Sequence, residues 1–322
     1  MRAVDTTRLI VDDGGYVVIP LVRTPPAEVL VRFGSSIVDA SFPVREIQKD
    51  PIDQVLDEVK IPVQLKAALP RKWELFGDVL VLRLDSSLDK HERAVAEAYA
   101  RVLRAKTVLR DVGGISGDFR QPVIRTLLGT DSVTTHLENG IKFRFDVSKI
   151  MFSSGNVEER ERMASIHCDG ETIVDMFAGI GYFSIPIAAY QRPAKVIACE
   201  INPVAHAYLV ENIALNKVGK TVEPVLGDNR ELKGESFADR VVMGYVRTTH
   251  EFLPTAFRLL RDGGVLHYHE TCPNELLPQR PIQHLSDVAG SRKVVVERLR
   301  AIKSYSPGVS HVVVDARVFK PS

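Results

Sequence analysis

Cysteine is scarce, with three residues in 322: Cys168, Cys199 and Cys272. None pairs in a Cys-x-x-Cys spacing and two lie in apolar or strand-like runs, which argues against a zinc ribbon or a disulfide framework and fits a reducing cytosol. Long apolar runs are also lacking. No segment approaches the ~18 apolar residues that span a bilayer, and the N-terminal MRAVDTTRLIVDDGG has no apolar core of signal-peptide length. The expectation is a cytoplasmic protein with no membrane partner. Charge of either sign is not in excess: the formal net charge of +1 offers no global field to steer a polyanion. Internal repeats and low-complexity tracts are absent as well. What remains is an ordinary composition, 45% hydrophobic and 26% charged, sufficient for one large α/β domain with one or two smaller ones.

Three regions are expected. Residues 1–51 hold short β-branched runs, GYVVIPLV (Gly15 to Val22) and EVLVRF (Glu28 to Phe33), split by Thr24-Pro25-Pro26; they read as strands of a small β-rich unit. Residues 52–150 are mixed α+β. WELFGDVLVLRL (Trp73 to Leu84) reads as a strand pair, DKHERAVAEAYARVLRA (Asp89 to Ala105) as an amphipathic helix, DVGGISGDFRQP as a Gly-rich loop and IKFRFDV (Ile141 to Val147) as a strand. Residues 151–322 alternate short Val/Ile-rich strands with helices, the signature of parallel βαβ units. They close with RKVVVERLRAIKSYSP and HVVVDARVF, two strands joined by a Pro-Gly turn.

Charge is uneven along the chain. From Arg101 to Arg125, six basic residues (Arg101, Arg104, Lys106, Arg110, Arg120, Arg125) face two acids, Asp111 and Asp118, a local excess of four. A solvated helix face followed by a polar loop would carry such a run, and so would a phosphate-binding surface formed by Arg104, Lys106, Arg110, Arg120 and Arg125.

The run IVDMFAGIGYFSIPIA (Ile173 to Ala188) is a buried strand ending in Asp175, then Phe177 and the turn Gly179-Ile180-Gly181, then a helix. Glycines let the backbone approach a ligand there, and the helix start offers unpaired N–H groups. The next strand ends in Glu200, 21 residues after Gly179, placed to accept both ribose hydroxyls. The third ends in Asp228-Asn229, a pair suited to adenine. Any one of these acids alone would more often be a cap or a surface group. Three at consecutive strand ends beside the glycine turn point to an S-adenosylmethionine (SAM) type nucleoside site. A dinucleotide site is disfavoured, because Ser184 stands where the third glycine of G-x-G-x-x-G would be. Upstream, in KIMFSSGNVEERERM, Ser153 and Arg160 flank a helix start where Arg160 would hold a carboxylate, or serve as a surface ion-pair partner.

Together MFSSGN (Met151 to Asn156), VDMFAGIGYFSIPIA, ACEINP (Ala198 to Pro203), GDNR (Gly227 to Arg230) and DRVVMGYVRTTHEFL resemble the wybutosine-synthesis tRNA aminocarboxypropyltransferases, relatives of the tRNA guanine-37 N1-methyltransferases. The resemblance runs from about Pro70 to the C-terminus. Its last motif separates the two groups: the methyltransferases carry an Asn-Pro type turn after the fourth strand, where this chain has Gly244-Tyr245-Val246. The resemblance implies a class I SAM-dependent, Rossmann-like α/β domain with a parallel sheet and an antiparallel last strand, preceded by a smaller α+β region. It implies transfer of the 3-amino-3-carboxypropyl group of SAM to C7 of 4-demethylwyosine at position 37 of tRNA(Phe), with the anticodon loop as partner and no metal. Ser153, Arg160, Glu200, Asp228 and Asn229 would be the SAM contacts. Competing readings are a guanine-37 N1-methyltransferase and a non-catalytic RNA-binding protein with a vestigial nucleoside pocket. No obligate protein partner is indicated.

In-line displacement on a sulfonium takes whichever carbon is presented, so orientation selects the product. Because the acceptor is a carbon, a ring proton must also leave. His267 and His269 share a face of the fifth strand, His269 nearer the ligand end, and His250 follows the fourth strand; His250 and His269 are candidate bases, or packed structural histidines. The His267/His269 pair lacks a third ligand at sensible spacing for a metal. Tyr245 is placed either to stack on a flipped base or to pack in the core.

Overall fold

The computed structural model describes residues 3–45, 49–116, 121–246 and 248–321. They divide after Glu58 into two units. In the first, β1 (Val11–Asp13) and β2 (Tyr16–Val18) pair antiparallel around Gly14-Gly15, and α1 (Ala27–Arg32) and α2 (Pro51–Glu58) follow. The strand expected over Glu28–Phe33 is therefore a helix. A short β-branched apolar run satisfies either period, and its flanks decide. Pro26 occupies the N-cap, while Glu28 in the first turn and Arg32 in the last complement the helix dipole.

The second unit opens with β3 (Glu74–Phe76), β4 (Val79–Leu82), α3 (Glu92–Leu103), β5 (Thr107–Ser116) and β6 (Gln121–Leu128), whose strands form a four-stranded sheet in that order. The hairpin expected within Trp73–Leu84 is present as β3 and β4. Of the Gly-rich loop expected over DVGGISGDFRQP, the described residues are strand, since β5 runs on to Ser116 and β6 starts at Gln121; residues 117–120 lie outside the described residues. The pairing of β5 with β6 shifts register between Asp111 and Ile115, and the Asp111 carboxylate accepts from the Gly113 and Gly114 amides. An irregularity of this kind absorbs glycines without ending the strand.

A two-stranded ribbon, β7 (Val133–Glu138) and β8 (Ile141–Asp146), leads to α4 (Val157–Ala164). Then come β9 (Thr172–Asp175), α5 (Ser184–Tyr190), β10 (Lys195–Glu200), α6 (Pro203–Leu215), β11 (Val222–Leu226), β12 (Ala238–Met243), α7 (Leu253–Leu259), β13 (Leu260–Pro273), α8 (Gln279–Ala289), β14 (Lys293–Ser306) and β15 (Val309–Phe319). Their strands form one seven-stranded sheet, β11-β10-β9-β12-β13-β15-β14. All neighbours from β11 to β13 are parallel, and β15 runs antiparallel to both β13 and β14. This is the class I SAM-dependent arrangement.

Burial explains the strands. Ile173, Val174, Val196, Ala198, Val241 and Val242 are fully buried, with an apolar cluster on each face of the sheet. α6 starts sharply because Asn202 accepts from the Val204 amide and Pro203 takes a position needing no N–H donor. Strand order reverses at β9, whose neighbours are β10 on one side and β12 on the other. The crevice beyond the strand C-termini at such a point is where open α/β sheets take ligands.

Candidate active site

A cavity of about 890 Å³ fills that crevice. Ser153, Arg160, Phe177, Gly179, Glu200, Asp228, Asn229 and Tyr245, drawn from segments up to 92 residues apart (245 − 153), all line it. At one end, Glu200 accepts from the Gly179 amide through Oε2 at 2.7 Å and from the Asn202 amide through Oε1 at 2.8 Å. Burial pushes its carboxyl above the usual range, and the backbone amides oppose that shift. Gly179 sits at φ 58°, and a Cβ there would lie 2.5 Å from the Tyr182 ring. Asn229 donates to the Met176 carbonyl at 2.8 Å, while its Oδ1 is buried without a hydrogen-bond partner. Asp228 is held by Arg230, which keeps its carboxyl below the usual range. Phe177 stacks on Tyr245, centroids 5.2 Å apart, and meets Phe252 edge-on.

The far end centres on Ser153. Its Oγ accepts from Lys303 Nζ at 2.6 Å and its carbonyl from Arg160 Nη1 at 3.0 Å. Arg160 itself is 3% exposed and forks onto Glu138 at 2.5 and 2.7 Å. The guanidinium expected to hold a ligand carboxylate therefore already holds a protein one, and Lys303 supplies cationic charge beside it. Neither Lys303 nor His311, which also lines the cavity, belongs to a local motif. Their only sequence signal is a position near the joined ends of the two closing strands.

Four expected site residues lie elsewhere. Asp175 is fully buried beneath the loop, accepting from Ser184 Oγ at 2.6 Å and the Phe177 amide at 3.3 Å, because a short side chain at the last residue of a central strand reaches only the turn above it. Gly181, at φ 100°, faces the Ile185 and Leu209 side chains, so its missing side chain serves helix packing. His250 turns away to stack on His284, centroids 4.6 Å apart. His269 is fully buried behind His311, and burial, reinforced by Arg162, drops its pKa to about 3.

The expected basic surface is largely neutralised. Arg110 pairs with Asp89 and Glu92, Arg125 with Glu92, and Lys106 lies between Asp78 and Asp131. Folding brings these acids, from outside the Arg101–Arg125 window, against the bases. Arg104 stays exposed at the end of α3, and Arg120 lies outside the described residues.

Residues 134–297 match the family model described as the TRM5/TYW2 methyltransferase domain. The chain belongs to the TRM5/TYW2 family. Residues 52–132 match the TYW2 N-terminal domain. Among curated TRM5/TYW2 proteins, the tRNA(Phe) (4-demethylwyosine(37)-C(7)) aminocarboxypropyltransferase of Pyrococcus horikoshii is 48% identical over 274 residues, 84% of this chain and 98% of that protein. The crystal structure of P. horikoshii TYW2 in complex with MeSAdo superposes with a TM-score of 0.76 at 46% identity, covering 84% of this chain and 98% of that one. The tRNA (guanine(37)-N(1))-methyltransferase Trm5b of Pyrococcus abyssi is 33% identical over 99% of this chain and 93% of its own length.

Proposed function

We infer that the protein is a SAM-dependent transferase that moves the 3-amino-3-carboxypropyl group to C7 of 4-demethylwyosine at position 37 of tRNA(Phe), releasing 5′-methylthioadenosine. The observation that carries this reading is the turn after β12. Gly244 packs on Phe183 so closely that a Cβ would lie 2.6 Å from the ring, which leaves no place for the Asn side chain of the methyltransferase turn.

The cavity suits SAM. Glu200 is positioned for the ribose hydroxyls, and the unpartnered Asn229 Oδ1 with Asp228 for the adenine edge, which carries an amine donor. Ser153 and Lys303 are positioned for the amino-acid carboxylate, with Arg160 bracing the Ser153 carbonyl from behind. SAM supplies an electrophilic carbon bonded to a sulfonium. The chain's part is to hold the tail so that Cγ, not the methyl, faces the acceptor; positioning of this sort contributes up to about 7–11 kcal/mol.

One face of Tyr245 is taken by Phe177, and its cavity side is available to a base unstacked from the anticodon loop, where single-stranded bases are accessible. No helix among the described residues is long and apolar enough to cross a membrane. The three free, buried cysteines accord with a reducing cytoplasm as the place of action.

The test is incubation with SAM and tRNA(Phe) carrying 4-demethylwyosine, followed by mass spectrometry. Methylthioadenosine, with a base heavier by one aminocarboxypropyl group, is expected. S-adenosylhomocysteine would instead identify a methyltransferase.

A further inference from the structure

Carbon alkylation leaves a proton to be removed, and the cavity offers few groups to take it. Among its described lining residues the carboxylates are Glu200 and Asp228, both at the nucleoside end and both already accepting hydrogen bonds. Lysine and arginine side chains carry protons already at neutral pH. Among the described lining residues the single imidazole is that of His311. It pairs in register with Lys303 across β14 and β15, so it belongs to the Ser153–Lys303 end, opposite the nucleoside contacts.

Behind it, His311 Nε2 lies 3.1 Å from His269 Nδ1. The other nitrogen of His269, Nε2, makes no hydrogen bond but lies 3.5 Å from the Glu159 carboxylate, which is itself fully buried between Arg162 and Arg300. His269 stays neutral in this setting, and the neighbouring carboxylate favours its proton on Nε2. Nδ1 is then an acceptor, so His311 must donate through Nε2. A neutral His311 locked in that tautomer carries its lone pair on Nδ1. This is the logic by which a buried partner fixes the tautomer of a catalytic histidine.

We propose that His311 is the base that removes the acceptor-carbon proton, and that His269 is the positioning residue that fixes its tautomer. The proposal rests on the transfer reaction inferred above. The acceptor ring uses a π electron pair to form the new C–C bond to Cγ; the Cγ–S bond breaks and its pair returns to sulfur, leaving a neutral thioether. The ring carbon now bears both the new substituent and its original hydrogen. His311 takes that hydrogen as a proton, the C–H pair restores the ring, and the imidazolium returns its proton to water as product leaves.

The experiment compares wild type, His311→Gln and His269→Gln in single turnover at saturating SAM, with protium or deuterium on C7 of the acceptor base and transfer read by mass spectrometry as the rearomatised, C7-substituted base that has lost its C7 hydrogen. SAM affinity by calorimetry and thermal unfolding establish that each variant is folded. His311→Gln is expected to slow transfer roughly 10²-fold or more, the usual share of a general base, while SAM affinity stays within about threefold. Its deuterium isotope effect should exceed that of wild type, because proton loss becomes limiting once the base is gone. His269→Gln should lower the single-turnover transfer rate with SAM affinity unchanged. His311→Ala, if slow, should regain activity with added imidazole. Wild-type speed in His311→Gln, an isotope effect no larger than wild type, or a loss traced wholly to weaker SAM binding would overturn the proposal. If wild type itself released no methylthioadenosine, the reading of the reaction would fall first.

Discussion

Asp175 is a single residue whose position recasts its role. Burial holds its carboxyl up at about 6, against hydrogen bonds from Ser184 and the Phe177 amide that favour ionisation. Between roughly pH 4 and 6 the native state retains a proton that the unfolded chain has released, so unfolding free energy falls as pH rises through that window. Asp315 acts oppositely and lower down. Burial raises its pKa, but the His267 hydrogen bond at 2.5 Å and nearby charges outweigh this and hold it at about 2, a contribution gained as pH rises towards 4. Asp175→Asn should therefore flatten the stability profile between about pH 4 and 6 and leave the more acidic limb intact, as read from urea unfolding at closely spaced pH values. The strand-end acid was legible from spacing. That it supports the turn from below, while Glu200 faces the ligand space, depends on which side of the loop each carboxylate reaches, and spacing does not specify that.

The turn from β12 into α7 shows how one element constrains the residue that can stand at the site. Gly244 lies against Phe183, which is itself 6% exposed and rests 5.5 Å from the His269 ring. A ring that is nearly buried and rests on His269 has little room to yield to a new side chain. Gly244→Asn, which restores the methyltransferase-like residue at this position, should cost about 1–3 kcal/mol in urea unfolding, as overpacking does. It should also lower methylthioadenosine output without producing S-adenosylhomocysteine. Appearance of the latter would mean that the turn alone sets which carbon is presented. At β5 and α1, flanking residues decided what the apolar pattern left open: a register shift carried the strand through Gly113 and Gly114, and Pro26 with complementary end charges made a helix of a β-branched run. Such short runs satisfy period 2 and period 3.6 almost equally, so their type is settled by caps and pairing partners.

Over the whole chain, both apolar clusters fall between Phe76 and Val318, wholly within the second unit. The P. horikoshii relative spans 84% of this chain with 98% of its own, and the TYW2 N-terminal match begins at residue 52. A chain lacking residues 1–50 is therefore expected to unfold cooperatively and to bind SAM with unchanged affinity, measured by urea unfolding and calorimetry; loss of either would show that the first unit completes the second. Charge behaves differently at this scale from the way it reads along the chain. Three of the bases in the Arg101–Arg125 run are matched by acids outside it, as when Arg125 meets Glu92, 33 residues away. The alternation of strands and helices, the Gly179 turn and the acids at successive strand ends were all legible because each is a short-range requirement of backbone geometry, met within one βα unit. The neutralised bases, the Arg160–Glu138 fork, the Lys303 contact with Ser153 across 150 residues and the His311–His269 pair were not legible. They are made by side chains that meet only when the sheet and its flanking helices assemble, and no periodicity along the chain encodes which distant groups will face each other.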